Sequence, residues 1–315
     1  MSAKVFIDGE AGTTGLQIST RLEGRSDVSL LRLNDAERKD TNRRREMLNA
    51  ADLVILCLPD DAAREAVALI DNPDTRVVDA STAHRTAEGW VYGFPEYEAG
   101  QREAVAAAKR VTNPGCYAIT SVAMLHPLVK AGIISADWPV TINAVSGYSG
   151  GGKGLIAAFE DPASADFTEA PFYPYGLTLA HKHVPEIARW SGLSHAPLFV
   201  PSVGRYAQGM IVQVPLPLWS MPESPSATDV HAALADHYAG EPFVTLAAMS
   251  DTRAMSKIEP ESLNGTNELR LHVFANEDQG QAVVMGLLDN LGKGASGQAV
   301  QNMNIMLGLP ENSGL

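Results

Sequence analysis

Short, nearly unbroken apolar runs alternate with mixed segments over the first hundred residues. Lys4 to Asp8, Val28 to Leu33, Leu53 to Leu58 and Arg76 to Asp79 read as strands, the third ended by Pro59. The all-apolar character of Leu53 to Leu58 is that of a strand covered on both faces, as in a parallel sheet. Between the strands, Leu16 to Leu22, Glu46 to Ala51 and Ala62 to Ile70 carry helical spacing. Strand–helix alternation of this kind predicts a doubly wound α/β domain.

The pattern changes after Cys116. Tyr117 to Ala131 predicts a helix with a kink at Pro127. Val140 to Val145, Leu198 to Pro201, Gly209 to Leu216, Phe243 to Ala247 and Glu268 to Asn276 read as strands of a second sheet, with antiparallel pairing expected. Asp161 to Leu179 has no clear period, carries Pro171 and Pro174, and is expected to be loop. Gly280 to Leu291 and Gly297 to Met306 are expected to be helices. There is no internal repeat, and the proline-rich Pro215 to Ser226 is too short to link independent domains.

Composition narrows the class. The chain has 315 residues, 45% of them apolar, enough for a sizeable core in one large or two ordinary domains. A net charge of −13 argues against sequence-independent nucleic-acid binding, which needs a basic face. Two cysteines in this length make no disulfide framework and fit a reducing, cytoplasmic setting. The N-terminus lacks the apolar stretch of a signal peptide, and no run reaches membrane-spanning length.

The first strand runs into Gly9-Glu10-Ala11-Gly12-Thr13-Thr14-Gly15 and then a helix. Small residues there let the backbone approach a pyrophosphate, and the helix start offers N–H donors. A tight strand-to-helix turn is the alternative. After the second strand, Asn34 stands where a ribose-binding carboxylate is usual for NAD, with Arg38 and Lys39 close behind. That favours a 2′-phosphate, hence NADP, although two solvated charges would look the same.

Thr112-Asn113-Pro114-Gly115-Cys116-Tyr117 places a thiol after a Pro-Gly turn and at the start of a helix-like stretch. Orphan N–H groups and the dipole there favour the thiolate, the reactive form. Cys57 lies in an apolar strand and reads as an inert core residue. His181-Lys182-His183-Val184-Pro185-Glu186-Ile187 puts two imidazoles just before a helix opened by Pro185 and ending at Gly192. On an extended stretch the two rings share a face, able to hold a thiolate or move a proton. Glu186 suits the first-turn dipole or orients a histidine or the substrate. Cys116, His181 and His183 as zinc ligands are a further reading, without a compact ligand cluster behind it. Ser146 to Lys153 is a glycine-rich segment able to cradle an anion, and Arg85 has the planar fork that matches phosphate.

Four segments together resemble the N-acetyl-gamma-glutamyl-phosphate reductase family in its shorter form. They are Asn113 to Tyr117, Ser146 to Lys153, His181 to Ile187 and Asp289 to Asn304, and the resemblance extends over essentially the whole chain. It implies a Rossmann-type NADP-binding domain, residues 1–115 and 288–315, around an α+β catalytic and dimerisation domain, residues 116–287. It implies reduction of an acyl phosphate, N-acetyl-glutamyl 5-phosphate, to the semialdehyde through a Cys116 thioester, in a homodimer or homotetramer. Cys116 and His181 fall on the catalytic positions; Arg85, Asn113, Lys153, His183 and Glu186 are the implied substrate contacts. Gly9, Gly12, Thr13, Thr14, Gly15, Arg38, Lys39, Leu58, Pro59, Ser149, Gly150, Asn290 and Gly294 are the implied cofactor contacts, with no metal. Gly151-Gly152 stands where an alanine often separates the glycines. Aspartate-semialdehyde dehydrogenase or a lysine-pathway analogue uses the same thiol and hydride steps, and a non-catalytic NADP sensor would share the glycine loop.

Overall fold

The computed structural model describes residues 2–34 and 36–315. Two compact units are built from a chain that crosses between them four times. The first holds the stretch up to Pro95, Ala99–Gly115 and Ala295–Leu315; the second holds Glu96–Glu98 and Cys116–Gly294.

The first unit opens with β1 (Ala3–Asp8), α1 (Thr13–Leu22), β2 (Val28–Leu31), α2 (Thr41–Ala50), β3 (Leu53–Leu56), α3 (Asp60–Ala68), β4 (Arg76–Asp79), β5 (Val91–Tyr92), α4 (Gln101–Ala107) and β6 (Arg110–Thr112). The strands form one sheet in the order β2-β1-β3-β4-β6-β5, every pair parallel. This is the doubly wound sheet expected from the strand–helix alternation. Side chains alternate across it: Val5, Ile7 and Ile55 join one apolar core, Phe6, Val54 and Leu56 the other. The strand order reverses between β1 and β3, so a crevice opens at the carboxyl ends of those two strands. Helix α2 starts five residues before its apolar pattern does, because Asp40 accepts from the N–H groups of Asn42 at 2.8 Å and Arg43 at 3.3 Å.

The second unit holds α5 (Cys116–Lys130), β7 (Thr141–Gly147), α6 (Gly152–Glu160), β8 (Phe172–Pro174), α7 (Val184–Ser191), β9 (Leu198–Gly204), β10 (Met210–Leu216), α8 (Ala227–His237), β11 (Val244–Leu246), α9 (Met249–Ala254), β12 (Leu269–Asn276) and β13 (Gln281–Leu288). Its sheet runs β11-β12-β13-β10-β7-β9-β8. Pairing is mixed, not antiparallel throughout: β7 with β9 and β11 with β12 are parallel. The first of these is possible because α6, β8 and α7 supply the long crossover that parallel neighbours need.

Two further expectations fail for identifiable reasons. Gly280 to Leu291 is not a helix; Gln281–Leu288 is a central strand between β12 and β10, burying Ala282, Val284, Gly286 and Leu288 on a period of two. Within the expected loop 161–179, Phe172–Pro174 adds an edge strand to β9. Helix α5, by contrast, passes through Pro127. Proline has no N–H for the Ala123 carbonyl one turn back, and the Tyr238 hydroxyl donates to that oxygen at 2.9 Å instead.

From the second unit the chain leaves through a π turn, Gly292–Ser296, and ends in α10 (Gly297–Leu307), part of the first unit. Helix α10 is buried along nearly its whole length, polar residues included. Asn302 Nδ2 donates to Gly93 O at 2.9 Å and to Asn113 Oδ1 at 3.1 Å. Asn304 Nδ2 donates to Glu311 O at 3.0 Å and Ser313 O at 2.9 Å.

Candidate active site

Cys116 is the first residue of α5, directly after the crossing Asn113-Pro114-Gly115. It is half-buried and unbridged. Its thiol therefore sits among N–H groups with no partner inside the helix, at the positive end of the dipole. Two phenols flank it. Burial pushes the Tyr117 hydroxyl well above its ordinary value, with Tyr175 and negative charge on Cys116 adding to the rise. Burial likewise pushes Tyr175 up to about 12, Cys116 again contributing. Tyr175 OH donates to Tyr117 OH at 3.3 Å, and Tyr117 OH to Ser202 O at 3.2 Å. On another side Gly294 closes in: a Cβ there would stand 2.8 Å from the Cys116 Cβ.

His181 meets the same tyrosines. Its ring centroid lies 5.8 Å from that of Tyr117 and 5.8 Å from that of Tyr175, with Phe199 at 5.2 Å. His183 lies 4.8 Å from His181 at 78° between ring planes. The stretch is a turn, not the extended segment that would align both rings: His183 has helical dihedrals and α7 begins at Val184, one residue before Pro185. The turn has a chemical result. The His183 backbone N–H donates to His181 Nδ1 at 3.2 Å. A neutral His181 accepting there carries its proton on Nε2, which makes that nitrogen the donor toward a reacting group. His183 and Glu186, in the first turn of α7, are buried.

Ser149, Gly150 and Asn290 converge in the second unit. Asn290 Nδ2 donates to Ser149 Oγ at 3.0 Å, its Oδ1 accepts from Gly209 N–H at 2.7 Å, and a Cβ on Gly150 would lie 3.4 Å from Asn290 Nδ2. Lys153 is exposed on the first turn of α6. In the first unit, Arg85 and Asn113 are both buried and bonded together: Arg85 Nε donates to Asn113 O at 3.1 Å and Nη2 to Ala80 O at 3.1 Å. Asn113 Nδ2 donates to Ala295 O at 3.0 Å.

The glycine loop sits at the β1–β3 crevice. Gly9 has φ +92°, and a Cβ there would be 2.3 Å from Cys57 O; a Cβ on Gly15 would be 2.4 Å from Gly9 O. Only glycine fits either place, and the cradle so formed suits a phosphate at the start of α1, where no side chain caps the helix. Glu10, an unfavourable charge for that task, is turned onto Ser19 Oγ at 2.7 Å and Arg32 Nε at 3.1 Å. Beside the loop lies a cavity of about 410 Å³, lined by Gly9 and Ala11, by Arg38 and Lys39, and by Thr41 and Arg44. Leu58 also lines it, while Pro59 caps α3. Sequence reasoning missed Thr41 and Arg44; the run Arg43-Arg44-Arg45 was the available signal. Two carboxylates near that end are held by arginines, Asp8 by Arg44 at 2.8 Å and Glu37 by Arg43 at 3.0 Å. Cys57 has its thiol pushed up to about 12 by burial, with Asp79 and Asp8 adding to the effect.

Among the described residues, no three His, Cys, Asp or Glu side chains group as metal ligands, and no helix is long and apolar enough to cross a membrane.

Comparison with known proteins follows the same division. Residues 4–108 match the family model "Semialdehyde dehydrogenase, NAD binding domain", and residues 116–290 match "Semialdehyde dehydrogenase, dimerisation domain". An N-acetyl-gamma-glutamyl-phosphate reductase of Trichormus variabilis is 52% identical over 318 residues, covering 99% of each chain. One from Burkholderia ambifaria is 54% identical over 305 residues, covering 97% of this chain and 96% of its own. Among solved structures, aspartate semialdehyde dehydrogenase II of Vibrio cholerae superposes with a TM-score of 0.67 at 14% identity, over 98% of both chains. Aspartate semialdehyde dehydrogenase with NADP from Candida albicans gives 0.63 at 14% identity, over 98% of this chain and 99% of its own. At that identity the two structures speak to the fold alone.

Proposed function

The chain belongs to the N-acetyl-gamma-glutamyl-phosphate reductase family, and on that footing we propose that it reduces N-acetyl-L-glutamyl 5-phosphate to the 5-semialdehyde through a thioester on Cys116. The observation that carries this is the second unit's cluster: a helix-start thiol beside two phenols that also touch His181, with Nδ1 of His181 tied to a backbone N–H.

The Cys116 thiolate attacks the acyl carbon, forming the C–S bond; the C–O bond to phosphate then breaks and phosphate leaves. N–H groups at the start of α5 stabilise the oxyanion of the tetrahedral species. Gly9, Gly12 and Gly15 would hold the nicotinamide dinucleotide, which when bound would supply the hydride that reduces the thioester. His181 Nε2–H donates to the resulting oxyanion or to the sulfur as the C–S bond breaks, releasing the aldehyde. Tyr117 and Tyr175 stay protonated, since both phenols are raised, and wall the thiol as neutral groups whose protons go to Ser202 O and to Tyr117 OH. Arg85, Lys153, His183 and Glu186 serve the substrate. Asn113 is a proposed substrate contact too, and its carbonyl holds Arg85 Nε at 3.1 Å.

For the cofactor we propose NADP over NAD. Arg38 and Lys39 line the cavity with Arg44, and the neighbouring carboxylates Asp8 and Glu37 are neutralised by arginines. Glu10, held by Arg32, and Glu65 also line the cavity, but its Arg38–Lys39 end presents cations to a 2′-phosphate. We further propose a cytoplasmic homodimer or homotetramer, associating through the second unit, which matches a dimerisation domain.

One experiment tests the whole reading: phosphate-dependent oxidation of N-acetyl-glutamate semialdehyde and of aspartate semialdehyde, followed by absorbance of the reduced cofactor. Turnover of the first only, with NADP preferred over NAD, is expected. Cys116→Ser should abolish it while leaving NADP binding intact, and the joint variant Arg38→Ala, Lys39→Ala should narrow the NADP preference at least tenfold. Full activity of Cys116→Ser would exclude the thioester route, and preference for aspartate semialdehyde would exclude the substrate.

A further inference from the structure

Among the described residues, Glu96 and Lys293 form a fully buried ion pair that the proposed chemistry does not use. Lys293 Nζ donates to Glu96 Oε1 at 2.8 Å, and both side chains are 0% exposed. The Phe243 ring covers the ammonium at 5.4 Å. A buried pair of this kind gives no stability that a well-packed apolar pair would not, because desolvation of the two charges offsets their attraction. Its location suggests another use.

Lys293 belongs to the π turn Gly292–Ser296, a rare geometry that tends to occur at functional sites. Glycines flank it on both sides, each in close contact. A Cβ on Gly292 would be 2.3 Å from Thr266 O, and one on Gly294 would be 2.8 Å from the Cys116 Cβ. The Gly294 N–H donates to Asp289 O at 3.0 Å. Residue 294 is thus a wall against the nucleophile's side chain, and the neighbouring Lys293 anchors the turn through its buried ammonium. The anchor point is itself fixed. Glu96 leads the tripeptide Glu96–Glu98, which packs into the second unit although its flanks belong to the first. Tyr97 stacks on His126 at 4.0 Å and accepts from His237 Nε2 through its carbonyl at 2.8 Å; Glu98 takes Lys130 at 3.2 Å.

We propose that Glu96 and Lys293 are positioning residues for Cys116: the ion pair holds the π turn so that Gly294 presses the thiol into place at the start of α5. An apolar pair would fill the same space, but without a directional bond it would let the turn shift. This inference rests on the thioester reading for its kinetic consequence, but not for its effect on thiol reactivity.

The test compares the double variant Glu96→Gln, Lys293→Met and the single variant Glu96→Asp with the native enzyme. The first removes both charges at similar volume; the second keeps the charge but withdraws the carboxylate by one methylene. Each is assayed for kcat and KM, for thermal midpoint, and for the rate of Cys116 alkylation by iodoacetamide against pH. The expected result is kcat lower by tenfold or more with KM within twofold. The alkylation profile should shift to higher pH even where the thermal midpoint is unchanged. If the double variant does not fold, Glu96→Asp decides. A folded variant with native kcat and a native alkylation profile overturns the proposal. Altered alkylation in an enzyme whose turnover does not depend on Cys116 would uphold the positioning role and remove the thioester reading instead.

Discussion

At the scale of single residues, two cysteines in one chain are placed in opposite chemical situations. Cys57, at the end of β3, is held protonated by burial and by the carboxylates of Asp79 and Asp8, with its thiol pushed up to about 12. At pH 8 only about one such thiol in ten thousand is ionised. Cys116 stands at a helix start, where the thiolate is favoured. Limited alkylation at pH 8 should therefore modify Cys116 at least a hundredfold faster than Cys57, as read by peptide mass mapping. Comparable labelling of the two would contradict the assignment. The sequence marked Cys116 because a thiol after Pro-Gly and before an apolar run sits at a helix start, where the thiolate is favoured, and it marked the histidines by their place just ahead of the helix opened by Pro185. It could not mark Tyr175 beside the thiol, since Tyr175 lies in a segment without periodicity. Nor could it tell which nitrogen of His181 holds a proton, because a single backbone N–H decides that.

Elements show a different kind of limit. Gln281–Leu288 looks helical in isolation because Val283, Val284, Leu287 and Leu288 fall on one helical stripe, yet Ala282, Val284, Gly286 and Leu288 of the same segment satisfy a period of two. Flanking strands β12 and β10 select the strand by offering a ladder on both sides. Helix α5 is the converse case: its proline is tolerated because a hydroxyl from α8's end supplies the missing donor. The same helix carries a pH-sensitive contact. His126 is pushed down from 6.5 to about 4 by burial, with His237 and Lys130 acting in the same direction and Glu98 opposing. His237 is lowered too, chiefly by burial. The unfolded chain thus binds more protons than the native state once pH falls below about 6.5. Stability should decline from there and level off below about 4, by up to ~3 kcal/mol for His126. Urea midpoints at pH 7.5 and pH 5 measure this, and His126→Gln should flatten the difference; an unchanged slope in that variant would refute the attribution.

For the whole molecule, the last fifteen residues matter more than their composition suggests. The tail folds back on the first unit: Glu311 takes Arg102 at 2.9 Å and Gln301 Nε2 at 2.8 Å, and Ser313 O accepts from Arg25 at 2.8 Å and Asn304 at 2.9 Å. Gln301 and Asn304 are 0% exposed. Removing residues 310–315 leaves those amides without these partners, at about 1–3 kcal/mol each. A fall of roughly 5–10 °C in the thermal midpoint, followed by circular dichroism, is expected; a shift within about 1 °C would show that the tail contributes nothing.

What the sequence determined by itself was local. Apolar runs set the parallel sheet, because a strand covered on both faces must be apolar throughout. The glycine loop and the helix-start thiol were fixed by steric and dipolar needs felt within a few residues, whereas the turn at the two histidines was not foreseen. The tertiary structure decided whatever depends on residues far apart in the chain. It chose strand over helix for Gln281–Leu288, seated Lys293 on Glu96 across 197 positions, and drew Arg44 to the cavity beside the glycine loop. It also made α10 a buried helix whose asparagines bond to distant carbonyls. Short-range pattern carries no record of such partners, since any one residue is compatible with many until packing selects among them.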